Sequence, residues 1–185
     1  MKSSVLVFST SPNAGSRSRA AATVLLDCLR GRGIPTEFVD VCDLPAVWVT
    51  GDGVAAAGAL WKEAAQQVER ASAVVFAAPI YCFSVGSPAR VVIELLSASL
   101  EGKPVALITA AGSMRSALAH RDFLNSLADE VSARILPKTV QVTGEDFTES
   151  GEISQGIRTR IADLADAVIH VLHSDQVEVM QKVAG

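Results

Sequence analysis

The chain has 185 residues, 49% of them hydrophobic and 19% charged, with a formal net charge of −4. That is the length of one domain with enough apolar surface for a core, which excludes a disordered tail and a coiled coil. The lack of a basic excess also excludes a face built to neutralise a nucleic-acid backbone. Aromatics make up only 5%, and the three cysteines (Cys28, Cys42, Cys82) show no framework spacing. A core of small aliphatic side chains is expected, with free thiols in a reducing, cytoplasmic setting.

In chain order, Val5-Leu6-Val7-Phe8 is a continuous apolar run, too short for a signal peptide and typical of a strand buried on both faces. Residues 18–29 repeat Ala21, Val24, Leu25 and Cys28 at helical spacing, and Gly31 and Gly33 end that helix. Residues 36–41 alternate like a strand near a sheet edge, and residues 55–70 read as an alanine-rich helix. Residues 73–78 form a second buried run. The uncharged stretch containing it, 71–89, is broken by Pro79, Gly86 and Pro88, which argues against a membrane span.

Residues 87–99 place Val91, Val92, Leu95 and Leu96 on one helical stripe, and 105–110 form a third buried run. Residues 116–128 read as a helix and 139–142 as a strand. A final helix is predicted from about 154 to 173, with Ile153, Ile157, Ile161, Leu164, Val168 and Leu172 on one face. Strands separated by helices of this length require right-handed crossovers and a parallel sheet covered on both faces. The sequence therefore predicts one doubly wound α/β domain over residues 1–173. Residues 174–185 are expected to form a tail or an extension that contacts another subunit.

Ligands of such folds bind where loops leave the carboxyl ends of the strands, which singles out the loops after Phe8, Ala78 and Ala110. The first, Ser9-Thr10-Ser11-Pro12-Asn13-Ala14-Gly15-Ser16-Arg17-Ser18, gathers five hydroxyls and an arginine at a helix start. Backbone N–H groups and the helix dipole favour an anion there, the hydroxyls donate to phosphate oxygens, and Arg17 adds charge. A solvated turn capped by Ser16 or Ser18 is the alternative on this stretch alone. It is neither a Walker loop nor a G-x-G-x-x-G turn. Gly51-Asp52-Gly53-Val54-Ala55-Ala56 matches G-x-G-x-x-A, but it follows an irregular stretch and lacks an acidic strand end about 20 residues on.

The second loop, Pro79-Ile80-Tyr81-Cys82-Phe83-Ser84-Val85-Gly86-Ser87-Pro88, is rigid and apolar and suits the edge of a planar ring, or a well-packed turn. Cys82 is not the nucleophile of a C-x5-R phosphatase, since Arg90 lies eight residues on. The third loop, Ala110-Ala111-Gly112-Ser113-Met114-Arg115-Ser116, has small residues that let a backbone approach a flat ligand. His120 is isolated, and His170 and His173 have no third ligand within reach, so no metal site is expected. No catalytic triad or paired catalytic carboxylates stand out, which leaves the chemistry to a cofactor.

Taken together, the three loops resemble the NAD(P)H-dependent FMN reductase family, and in particular the two-component flavin reductases that feed alkanesulfonate monooxygenases. The resemblance rests on Ser11-Pro12 followed by Ser16-Arg17-Ser18, on Pro79-x-Tyr81-x-x-Ser84 with Gly86 and Arg90, and on Leu100-x-Gly102-Lys103-Pro104-Val105 leading to Gly112-Ser113. It covers about residues 3 to 173. It implies a flavodoxin-like five-stranded parallel sheet in the order 2-1-3-4-5. It further implies that Ser9, Ser11, Ser16, Arg17 and Ser18 hold the FMN phosphate. Pro79, Ile80, Tyr81, Cys82, Phe83 and Ser84 would line the ring and ribityl chain, and Ala111, Gly112 and Ser113 would pass near the ring. Thr10 stands where the family usually has glycine, and its side chain is expected to crowd the phosphate loop.

The implied activity is hydride transfer from NADPH or NADH to FMN, with reduced flavin supplied to a monooxygenase, by a homodimer or homotetramer. An FMN-retaining reductase of quinones, azo or nitro compounds is a second reading. A flavodoxin-like electron carrier and a binding protein without flavin are the non-catalytic ones.

Overall fold

The computed structural model describes residues 3–184, the side chains of 178–184 excepted. Strand β1 (Val5–Ser9) is buried along its whole length and leads into helix α1 (Arg17–Gly31). The chain continues through β2 (Thr36–Asp40), α2 (Ala59–Arg70), β3 (Ala73–Tyr81), β4 (Ser84–Val85), α3 (Ser87–Leu100) and β5 (Pro104–Ala110). It ends with α4 (Arg121–Val131), β6 (Arg134–Val142) and α5 (Gln155–Ala184). Five strands pair in parallel in the order β2-β1-β3-β5-β6, the expected doubly wound arrangement. The two-residue β4 is an addition, antiparallel to the end of β3.

Register and pleat sort the side chains. Phe8 lies beside Phe76 and Phe76 beside Leu107, and all three join Trp61, Val92, Phe123 and Leu127 on the face covered by α2, α3 and α4. Their neighbours Val7, Val75 and Ile108 point the other way, against Leu25, Ile161 and Leu164 of α1 and α5. Both faces are covered, which is why β1, β3 and β5 read as unbroken apolar runs.

Four elements differ from the sequence expectation. Helix α2 begins at Ala59 rather than residue 55. The preceding loop, which contains the rejected glycine motif, is irregular and is tied down by the Trp61 indole donating to the Pro45 carbonyl at 3.0 Å. The expected helix from residue 116 starts later: a 3-10 turn (Met114–Ser116) and turn residues 117–120 precede α4. Strand β6 starts at Arg134, five residues before the expected 139, and its pairing with β5 slips between Val105 and Leu107. Helix α5 runs on past His173 to Ala184, so the expected tail is helical over its described part. There Asp175 accepts from Arg134 at 2.7 Å and Gln176 donates to Ser3 Oγ at 2.7 Å.

Candidate functional site

The carboxyl ends of β1, β3 and β5 lie side by side, so the loops leaving them meet. After Ser9 the chain bonds back to β3: the Thr10 amide donates to the Ala77 carbonyl at 2.9 Å and its hydroxyl to the same oxygen at 3.3 Å. Thr10 is fully buried and takes its hydroxyl to β3. Beyond it, the Asn13 side chain accepts from the Gly15 amide at 3.0 Å, a local turn that delivers the chain to α1. Ser16 is the N-cap: its hydroxyl accepts from the Arg19 amide at 3.2 Å and lies 3.3 Å from the Ser18 hydroxyl. As the first helical residues, Arg17 and Ser18 carry amides with no carbonyl one turn earlier to bond.

Arg17 lays its guanidinium 5.7 Å from the centroid of Phe147 and close over Gly144. A Cβ at Gly144 would sit 3.2 Å from Arg17 Nη2; the missing side chain makes room for this pose. Among the described residues, no carboxylate pairs with Arg17.

The second loop is a tight hairpin. Tyr81 pairs with Ser84, leaving Cys82 and Phe83 as a two-residue turn with φ of 50° and 59°. This is the left-handed backbone of a primed hairpin turn, which usually uses Asn-Gly because residues with a Cβ are strained there. Tyr81 and Phe83 are 55% and 65% exposed, an apolar rim on the carboxyl side of the sheet. Gly86 returns its amide to the Pro79 carbonyl at 2.9 Å, and a Cβ on it would meet Pro79 and Tyr81 at 3.4 Å.

A cleft of about 560 Å³ opens between these loops and the end of β5. It brings together Ser16, Arg17 and Ser18 from the first loop, Pro79, Ile80, Tyr81 and Cys82 from the second, and Ala111 and Gly112 from the third. Asn13, Gly15 and Ala110 also line it and were not singled out from the sequence. The Asn-x-Gly turn signal and the position at a strand end could have found them.

The other singled-out residues lie outside the lining. Ser9 is fully buried at the end of β1, its hydroxyl without a hydrogen-bond partner. The Ser11 hydroxyl accepts from the Asn13 amide at 3.3 Å. Ser84 donates to Asp122 at 2.8 Å, Asp122 in turn pairs with Arg90 at 2.7 Å, and so both turn toward α4. Ser113 accepts from the Arg115 amide at 3.4 Å and its carbonyl from Gln141 at 3.2 Å, holding the third loop onto β6. Phe83 stands at the hairpin tip. Among the described residues no group of three or more metal-ligating side chains assembles, and no helix is long and apolar enough to cross a membrane.

Two titratable groups flank the third loop. Burial opposes ionisation of Asp122, but its bonds from Ser84 and Arg90 prevail and hold its carboxyl below the usual range. His120, buried at the start of α4, has its pKa lowered by burial and by neighbouring Arg121, against a weaker pull from Asp122. Because the folded imidazole resists protonation, its contribution to stability is complete above the ordinary histidine value of about 6.5 and is lost as pH falls from there through the lower pKa of the folded state. His120→Gln is expected to flatten the decline in urea midpoint between about pH 7 and pH 5. Identical pH slopes for the two proteins would refute this.

Compared with known proteins, residues 3–148 match the family described as NADPH-dependent FMN reductase. The chain belongs to this family. It is therefore an oxidoreductase of the flavin reductase type, a flavoprotein family using FMN and a nicotinamide nucleotide. No curated protein matches it in sequence. Among solved structures it is similar to an apo form of NADH:FMN oxidoreductase (EMOB), with 21% identity over 89% of this chain and 87% of that one and a TM-score of 0.75. It is similar also to FerB, an NAD(P)H:acceptor flavoenzyme from Paracoccus denitrificans, with 22% identity, coverage of 89% and 94%, and a TM-score of 0.70. A flavodoxin from the domain Archaea shares the fold at 14% identity, with coverage of 90% and 99% and a TM-score of 0.59.

Proposed function

We propose that this cleft binds FMN and that the protein reduces it with NADPH or NADH, releasing reduced flavin to a monooxygenase. The observation that carries the reading is the polarity of the cleft. Ser16, Arg17 and Ser18 at a helix N-terminus form one end, and the apolar wall of Pro79, Ile80, Tyr81 and Cys82 forms another. A phosphate suits the first, with two first-turn amides and two hydroxyls, while the Arg17 guanidinium, packed against Phe147 with no carboxylate partner among the described residues, adds positive charge nearby. A flat ring suits the second, with Ala111 and Gly112 offering close backbone approach at its edge. The volume lies within the range of small-molecule sites, about 300–1,000 Å³.

Held by these residues, FMN would supply two-electron acceptor chemistry toward a reduced nicotinamide nucleotide. The chain's own part is orientation: the phosphate end fixes one pole of the ligand, and the hairpin and third loop fix the ring plane. Ser11, Ser84 and Ser113 act from behind, holding the loops through the bonds described above. Phe83 and Tyr81 stand on the rim, where a second subunit of a homodimer or homotetramer would meet the site.

The test is anaerobic: purified protein with NADPH or NADH and an excess of FMN, followed at the nicotinamide and flavin absorbance bands. Multiple turnovers that bleach the excess FMN are expected. FMN that stays bound while a quinone turns over supports the second reading, an FMN-retaining reductase. Absence of both FMN binding and FMN reduction defeats the proposal.

A further inference from the structure

Arg19 sits one turn into α1 and does not line the cleft, yet it carries a connected set of bonds to the loop that does. Its Nη1 donates to the Ala14 carbonyl at 3.0 Å, and its Nη2 pairs with Asp40 at the end of β2. The other oxygen of Asp40 accepts from the Cys42 amide at 3.0 Å, and the Cys42 thiol donates to the Ser11 carbonyl at 3.3 Å. Two carbonyls of the first loop, on either side of Asn13, are thus tied to the end of a neighbouring strand. The Asp40 side chain is only 4% exposed and that of Arg19 22%, so the carboxylate is buried and the guanidinium partly so. Burial is the largest influence on Arg19 and opposes its charge, but the hydrogen bonds and charge interactions with Asp40 and Cys42 together outweigh it and raise the guanidinium above its ordinary value.

The consequence is electrostatic. A carbonyl oxygen turned toward an anion repels it, and the first loop must present donors to a phosphate rather than acceptors. Arg19 and Cys42 occupy the oxygens of Ala14 and Ser11, leaving the cleft side to the hydroxyls and the helix amides. A neutral ligand end gains little from this arrangement; a phosphate gains much.

We propose that Arg19 and Asp40 are positioning residues that make the cleft select a flavin with a terminal phosphate over the same flavin without one. The proposal rests on the FMN placement given above. It concerns residues that touch neither ligand nor reacting atoms and that act through the loop.

Dissociation constants for FMN and for riboflavin, measured by flavin fluorescence on the full chain, decide it. The wild type is expected to prefer FMN. Arg19→Ala and Asp40→Asn should weaken FMN by about tenfold, the loss of roughly one charge-assisted hydrogen bond, and shift riboflavin by less than about twofold. Arg19→Lys, which can reach one of the two partners, should fall between, and Cys42→Ala should follow in the same direction with a smaller change. If both flavins weaken in parallel, the residues are merely structural and the proposal is overturned. It is overturned equally if a folded Arg19→Ala keeps the wild-type ratio. Should Arg19→Ala not fold, Asp40→Asn and Arg19→Lys carry the same comparison. A wild type that binds both flavins equally defeats the phosphate placement itself, whereas a wild-type preference that survives every variant defeats only the role of Arg19 and Asp40.

Discussion

Phe76→Ala is expected to lower the unfolding free energy by about 3–5 kcal/mol, read as a shift in urea midpoint at unchanged slope. Phe76 lies on the central strand, fully buried. It stacks on Phe8 with ring centroids 6.0 Å apart and meets Phe123 edge-on at 5.4 Å. Truncation leaves a cavity between a strand and a helix, and neither can move far. Strand β3 is hydrogen-bonded on both sides, and the end of α4 is held to the turn before β5, where the Gly102 amide donates to the Val131 carbonyl at 2.9 Å. The two ring pairs add about 0.5–1.5 kcal/mol each beyond the buried area. In a protein whose aromatics number so few, this trio joins the sheet to the helix that carries the third loop. Phe76→Leu, which keeps most of the volume, should recover a large part of the loss. A change below about 1.5 kcal/mol for the alanine variant would show that the neighbours collapse into the gap.

Where side-chain pattern alone decides an element, the sequence is readable. Strands β1, β3 and β5 are buried on both faces by covering helices, so each shows a continuous apolar run that nothing else in a chain of this length explains. The first half of β6 does not show it. Arg134, Lys138 and Pro137 occupy a strand paired on one side only, where a missing amide and charged side chains are tolerated. Helix α2 looked longer because residues 55–57 are alanines, but Gly58, at φ 100°, turns the chain just before the helix. Helix α5 looked shorter because its apolar stripe ends near Leu172. Loss of a stripe marks the end of a buried face, not of a helix, and residues 174–184 contain no glycine or proline to stop it.

The site divides in the same way. A cluster of hydroxyls before a helix and an apolar Pro-containing loop after a buried strand are local patterns, and the fold brings both to one cleft. The turn of Ser84 toward Asp122 depends on a residue 38 positions away, and the Thr10 bond to Ala77 on one 67 away. No spacing rule within a loop reports such partners. The strained hairpin lies between these cases: Cys82 and Phe83 at its two left-handed positions are neither Gly, Asn nor Asp, so the sequence argues against the conformation that the pairing of β3 with β4 imposes.

That conflict gives the second large effect. Replacing Cys82 by asparagine together with Phe83 by glycine is expected to raise stability by about 1–2 kcal/mol. Relief of left-handed strain, about 1–2 kcal/mol for each residue with a Cβ, outweighs the entropy that glycine loses on folding, about 0.5–1 kcal/mol. The same exchange removes the Cys82 side chain from the cleft wall and the Phe83 ring from the rim, so kcat/KM for FMN should fall while the protein becomes harder to unfold. Equilibrium denaturation and flavin turnover on one preparation measure both. A stability gain with turnover unchanged would mean that the two side chains serve no ligand. No gain at all would mean that the turn is already relaxed. The expected opposition of the two changes is what a strained segment kept for binding produces, because a sequence selected for folding alone would place asparagine and glycine at this turn.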